Sequence, residues 1–177
     1  MTQKSNLIIL DADVIISLNE LGLWHKFLNR YGVIITKTVF DEAQFWKDRD
    51  EQTTYIDLPG QEKEGRITVI DPSVADLVKF RSEVVKWDSL LMDELGAGEL
   101  HTLAAAFCND QLTEVCLIDH APIRCAGLIG LRERIVSVET ALVKSGLKVS
   151  LPRKLSEAKF RKLADAAATE RVQKMLL

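Results

Sequence analysis

Leu7-Ile8-Ile9-Leu10-Asp11-Ala12-Asp13-Val14-Ile15-Ile16 is the stretch whose reading decides the fold. Its first four residues form an unbroken apolar run with two β-branched members. Such a run suits a strand covered on both faces, as strands of parallel sheets are. Asp11 stands directly after it. Working outward, further runs of this kind recur at Val33-Ile34-Ile35, Ile67-Thr68-Val69-Ile70, Val115-Cys116-Leu117-Ile118 and residues 135–138. Segments with helical spacing lie between them: residues 14–30, 39–47, 71–87, 99–108, 121–128 and 139–144. The helix over 99–108 has Leu100, Leu103, Ala104 and Phe107 at i, i+3, i+4, i+7. Alternation of strand and helix predicts an α/β fold, a mostly parallel central sheet with helices on both faces. Residues 48–65 are polar and contain Pro59-Gly60, so they read as an exposed loop or insertion.

At 177 residues the chain fits one domain and can bury a sizeable core. It divides into a core over residues 1–150 and a helical extension over 151–177. The extension has seven basic residues against three acidic ones, while the whole chain carries −3. That net charge argues against a dedicated basic nucleic-acid binder. No apolar run approaches the ~20 residues of a membrane span, and residues 7–10 are too short for a signal-peptide core. A cytoplasmic protein without membrane attachment is the expectation. Cys108, Cys116 and Cys125 are odd in number and lack a C-x-x-C pair, which reads as reduced structural thiols. Cys116, His120 and Cys125 match no common zinc spacing.

The placement of acids carries the chemistry. Asp11 and Asp119 each follow an apolar strand, and ligand sites of parallel sheets form at the strands' carboxyl ends. Glu42 is expected in the first turns of the second helix, and Glu99 opens the helix after Gly96-Ala97-Gly98, both where a helix dipole favours an anion. Each acid alone reads more simply as a cap or turn residue. Together they would repel one another unless a hard divalent cation, Mg2+ or Mn2+, neutralised them. Cations held by carboxylates serve phosphodiester hydrolysis by activating water and stabilising charge on phosphorus.

The ordered motifs resemble the PIN-domain family. The opening stretch is similar to the family's first acidic block, Thr38-Val39-Phe40-Asp41-Glu42 to its second, and Gly96-Ala97-Gly98-Glu99-Leu100-His101 to its Gly-Glu helix. Val115-Cys116-Leu117-Ile118-Asp119 with Arg124 and Ala126-Gly127 resembles its fourth block. The resemblance covers about residues 7–144. It implies a three-layer α/β/α fold and magnesium- or manganese-dependent ribonuclease activity. Asp11, Glu42, Glu99 and Asp119 would be the catalytic metal ligands, with Asp13 a supporting one. Many relatives are toxins of toxin–antitoxin pairs, so RNA, a protein antitoxin and a second copy in a homodimer become expected partners.

Two other readings compete. Asp11-Ala12-Asp13-Val14 also resembles the opening of haloacid-dehalogenase-type phosphohydrolases, but no second acid follows Asp119, and Glu42 and Glu99 would be idle. A non-catalytic PIN-like RNA-binding or assembly module is the other. Of the remaining residues, Arg124 reads equally as a phosphate contact, a partner of a site carboxylate or a surface arginine. Trp24, Trp46, Trp87 and His101 read as packing residues, and Asp93 and Glu94 as a solvated loop. The apolar stripe of the basic extension favours packing over RNA contact.

Overall fold

The computed structural model describes residues 7–47, 50–109 and 114–176. The chain begins with β1 (Leu7–Leu10), α1 (Ala12–Glu20), α2 (Trp24–Leu28), β2 (Gly32–Thr36) and α3 (Lys37–Glu42). A hairpin, β3 (Phe45–Lys47) and β4 (Thr53–Tyr55), leads to α4 (Leu58–Lys63), β5 (Ile67–Ile70) and α5 (Val74–Trp87). Then come α6 (Leu91–Glu94), α7 (Ala97–Cys108), β6 (Glu114–Cys116), α8 (His120–Leu128), β7 (Ile135–Val136), α9 (Val138–Lys144) and α10 (Glu157–Met175). A 3-10 turn, Arg153–Leu155, precedes α10.

Five strands form one sheet in the order β5-β2-β1-β6-β7, with every pairing parallel. β1 is central, and Leu10 stands opposite Cys116 of β6. Alternate residues of β1 face opposite layers. Ile8 and Leu10 join α1, α2, α4 and α9 in one core, built on residues such as Trp24, Phe27 and Leu58. Ile9 joins α5, α7, α8 and α10 in the other, with Phe80, Leu103 and Phe160. The result is a three-layer α/β/α fold with a parallel centre. Each fully buried Leu or Phe contributes about 1.5–3 kcal/mol of transfer free energy, and Phe80 and Leu103 are wholly buried.

Several segments differ from the sequence reading, among them the strand expected over 135–138, which ends at Val136 because Ser137 caps α9. Residues 14–30 are two helices, because Gly22 at φ +65° closes α1. Leu23 N–H reaches Leu18 C=O at 2.8 Å and Gly22 N–H reaches Asn19 C=O at 2.9 Å, a Schellman ending that favours glycine. The helix expected over 39–47 is α3, which starts earlier and stops at Glu42. Thr36 Oγ1 accepts the Val39 N–H at 3.3 Å and sets that start. Phe45 to Lys47 then pair antiparallel with Thr53 to Tyr55. The segment 48–65 is therefore no bare loop: it supplies β4 and α4, whose Leu58 is fully buried; residues 48 and 49 lie outside the described residues. Asp93 and Glu94 lie in the one-turn helix α6.

The extension packs as its apolar stripe implied. Phe160, Ala164 and Ala167 of α10 are buried, and α10 crosses α8 so closely that a Cβ on Gly127 would stand 2.5 Å from Ala167 Cβ. Arg124 is committed to this joint. Its Nε and Nη2 donate to Glu170 at 2.9 and 2.7 Å, and Nη2 also donates to Asp88 at 2.6 Å. Those bonds hold the Glu170 carboxyl down at about 2. Several of the tail's cations likewise have partners in the fold: Arg171 donates to Leu128 C=O and lies 4.8 Å from the Trp87 ring, and Lys174 donates to Trp87 C=O.

Candidate functional site

The sheet's order reverses between β1 and β6: from β1 the chain steps outward to β2 and β5, then returns to β6 and β7. In open α/β sheets that reversal opens a crevice beyond the strands' carboxyl ends. Asp11 lies at the end of β1 and Asp119 three residues beyond β6. They occupy equivalent positions as the N-cap residues of α1 and α8, with extended backbones at φ −85°, ψ 164° and φ −87°, ψ 160°.

An N-cap Asp ordinarily turns its carboxylate onto the helix's second or third amide, worth about 1 kcal/mol. Thr36, Asp57, Ser73, Ser137 and Ser156 cap their helices in that way. Asp11 and Asp119 form no such side-chain cap. Both are left available to the crevice.

Three more acids join them. Asp13, in the first turn of α1, lies near enough to Asp119 for the two carboxyls to act on each other. Glu99, in the first turn of α7, accepts the Gly96 N–H on Oε2 at 2.8 Å. Glu42 arrives from α3 by a close approach, since a Cβ on Gly98 would meet its Oε2 at 2.2 Å. Glu42 is the last residue of α3, not in its first turns. It therefore lies at the helix end whose dipole disfavours an anion, and the expected dipole support is absent there. His101, two residues after Glu99, shares a 2.8 Å hydrogen bond with Thr38 and ties α7 to α3.

The electrostatics follow. Asp11 is 5% exposed. Burial, and then the charges of Glu99, Asp13 and Glu42, push its carboxyl up to about 7, against the opposing Ala12 N–H. Burial also raises Glu99, helped by Asp119, Asp13 and Glu42. Asp13 is raised by lost hydration and then by neighbouring Asp119, with the Lys154 ammonium pulling the other way. Among the described residues none of the five acids forms an ion pair.

All donors here are carboxylate oxygens, the set a hard divalent cation prefers. An unpaired anionic cluster around a buried Asp fits such a cation. Among the described residues no three His, Cys, Asp or Glu side chains stand at direct-ligation spacing. A cation here would thus be held partly through its own waters, as magnesium commonly is. The thiols stand apart from this set: Cys116 and Cys125 are buried, and burial pushes Cys125 up to about 12.

Other sequence candidates resolve differently. Arg124 does not meet a site carboxylate, because Asp88 and Glu170 hold it. Trp24 is buried and donates to Gln61 at 2.9 Å, and Trp87 donates to Glu83 at 3.1 Å. Lys154, which acts on Asp13, was not singled out from the sequence; its only signal was the basic character of the extension. No protein-family model and no curated protein matches the chain. No helix among the described residues is long and apolar enough to cross a membrane.

Proposed function

We propose that the chain is a divalent-metal-dependent ribonuclease of the PIN type. The observation carrying this reading is that two strand-end aspartates occupy N-cap positions at the sheet's switch point and do not cap. Three further acids from α1, α3 and α7 surround them. Asp11, Glu42, Glu99 and Asp119 would hold Mg2+ or Mn2+, with Asp13 supporting Asp119. Bound there, the cation supplies an activated water and charge stabilisation at phosphorus. The chain's own part is positional. Gly98 admits the Glu42 carboxylate, the Gly96 N–H orients Glu99, and Asp11, 5% exposed, stands at the end of the central strand. A phosphohydrolase reading would use Asp11 and Asp13 but gives no work to Glu42 and Glu99.

The test is incubation of wild type and Asp11→Asn with labelled single-stranded RNA under magnesium, manganese or a chelator, with a phosphomonoester as control substrate. Metal-dependent RNA cleavage that the variant loses is the expected result. Phosphomonoester turnover without RNA cleavage would replace this reading with the phosphohydrolase. Full activity in Asp11→Asn would overturn the site.

A further inference from the structure

A crevice with five carboxylates repels the phosphates of its own substrate. Metal binding offsets this only at the scissile group; the rest of an RNA strand still approaches an acidic surface. Residues 144–156 contain four cations and no acid. Lys144 is paired with Glu114. Lys148, Arg153 and Lys154 are exposed and, among the described residues, form no ion pair.

This strap is fixed to the body of the protein. Leu147 and Leu151 pack on the core that contains α1, and Leu155 lies inside it at 3% exposed. Leu155 N–H reaches Pro152 C=O at 2.9 Å, and Ser156 Oγ donates to Arg153 C=O at 2.8 Å, closing the 3-10 turn. Lys154 shares a small cleft with Leu117 and Ile118, the two residues before Asp119. An ammonium is thereby set at the rim of the acidic crevice without neutralising it.

We propose that the strap is the RNA-backbone contact of this site, with Lys154 binding the phosphate next to the scissile one and Arg153 the phosphate beyond. The substrate is single-stranded RNA, held through its phosphates without base selection by these two residues. This rests on the ribonuclease reading for its location, but binding can be measured apart from cleavage.

Lys154→Gln, Lys154→Arg and Arg153→Gln/Lys154→Gln are compared with wild type, with Lys86→Gln as a distant control. Binding of a labelled single-stranded oligoribonucleotide in chelator is titrated over a salt series, alongside cleavage kinetics in manganese and manganese affinity by calorimetry. Each phosphate contact to a single strand contributes about 0.7 to the slope of log K against log salt. Lys154→Gln should weaken binding about fivefold at low salt and lower that slope by about 0.7; the double variant should lower it by about 1.4. KM should rise more than kcat falls, Lys154→Arg should restore most of the loss, and Lys86→Gln should match wild type. Manganese affinity of Lys154→Gln should be unchanged or tighter, since a neighbouring positive charge has gone.

Binding and salt slope unchanged in the double variant would overturn the proposal. So would a loss that Lys154→Arg does not restore and that comes with weaker manganese binding, which would mark Lys154 as structural. RNA binding with these dependences but no cleavage would strike the nuclease reading and support the strap. No RNA binding by wild type would sink both.

Discussion

Removing the charge of Asp11 should stabilise the metal-free protein, and only above mildly acidic pH. The carboxyl is raised from an ordinary 3.8 to about 7, chiefly by burial and then by Glu99, Asp13 and Glu42. A raised acid binds more protons folded than unfolded. Its stabilising contribution is present in full below pH ~4 and is lost as pH rises through 7. At about 1.4 kcal/mol for each tenfold change in proton affinity, the loss amounts to about 4 kcal/mol at most. For a chain of this length 1 kcal/mol shifts Tm by about 2–4 °C. In chelator, wild type should therefore lose on the order of 10 °C between pH 4 and pH 8 through this group. Asp11→Asn should be flatter, matching wild type at pH 4 and melting several degrees higher at pH 8. Saturating magnesium should raise the wild-type Tm at pH 8 and leave the variant unmoved. Thermal unfolding followed by circular dichroism across that range reads all of this. An Asp11→Asn Tm below wild type by the same margin at both pH values would refute the reasoning, because it would make the carboxylate a structural bond.

Gly98→Ala should displace the Glu42 carboxylate, whose Oε2 stands 2.2 Å from the new Cβ. Calorimetry should show manganese affinity down about tenfold, while helix propensity offsets the crowding by up to about 1 kcal/mol and keeps Tm near wild type. Arg124→Met should cost about 1–2 kcal/mol in urea unfolding, because Lys174 still pairs with Asp88 and Glu170 after the guanidinium is gone from this half-buried joint; unchanged stability would mean that Arg124 does not hold the joint. Gly127→Ala should cost about 1–3 kcal/mol by forcing α10 off α8, measured in the same unfolding assay.

The layers were legible because each sheet strand is short, apolar and β-branched, and the helices between them have clear periodicity. The switch point was legible in the same way, as an Asp after two such strands. What escaped was set by contacts between distant residues or by very short elements. Thr53-Thr54-Tyr55 is too brief for period-two alternation to register, so the hairpin was hidden in a polar segment. Glu42 fell at the other end of its helix because α3 begins at Lys37 and stops before Phe45 to Lys47 enter the hairpin. Arg124 looked available for phosphate because its partners lie 36 and 46 residues away. Lys154 had no local signal, since a basic residue in a basic tail is unremarkable until the fold sets it in one cleft with Leu117 and Ile118.

The central strand has a consequence for synthesis on the ribosome. β1 is made first and can pair at once with β2, but its other edge belongs to β6, whose first residue is Glu114. Roughly 80 residues separate the end of β2 from that partner, or on the order of ten seconds of translation. During that interval the apolar edge of Ile8, Ile9 and Leu10 stands open, and an open edge is a template for pairing with other chains. The nascent protein is thus most vulnerable in mid-translation, and chaperone engagement should peak before β6 emerges.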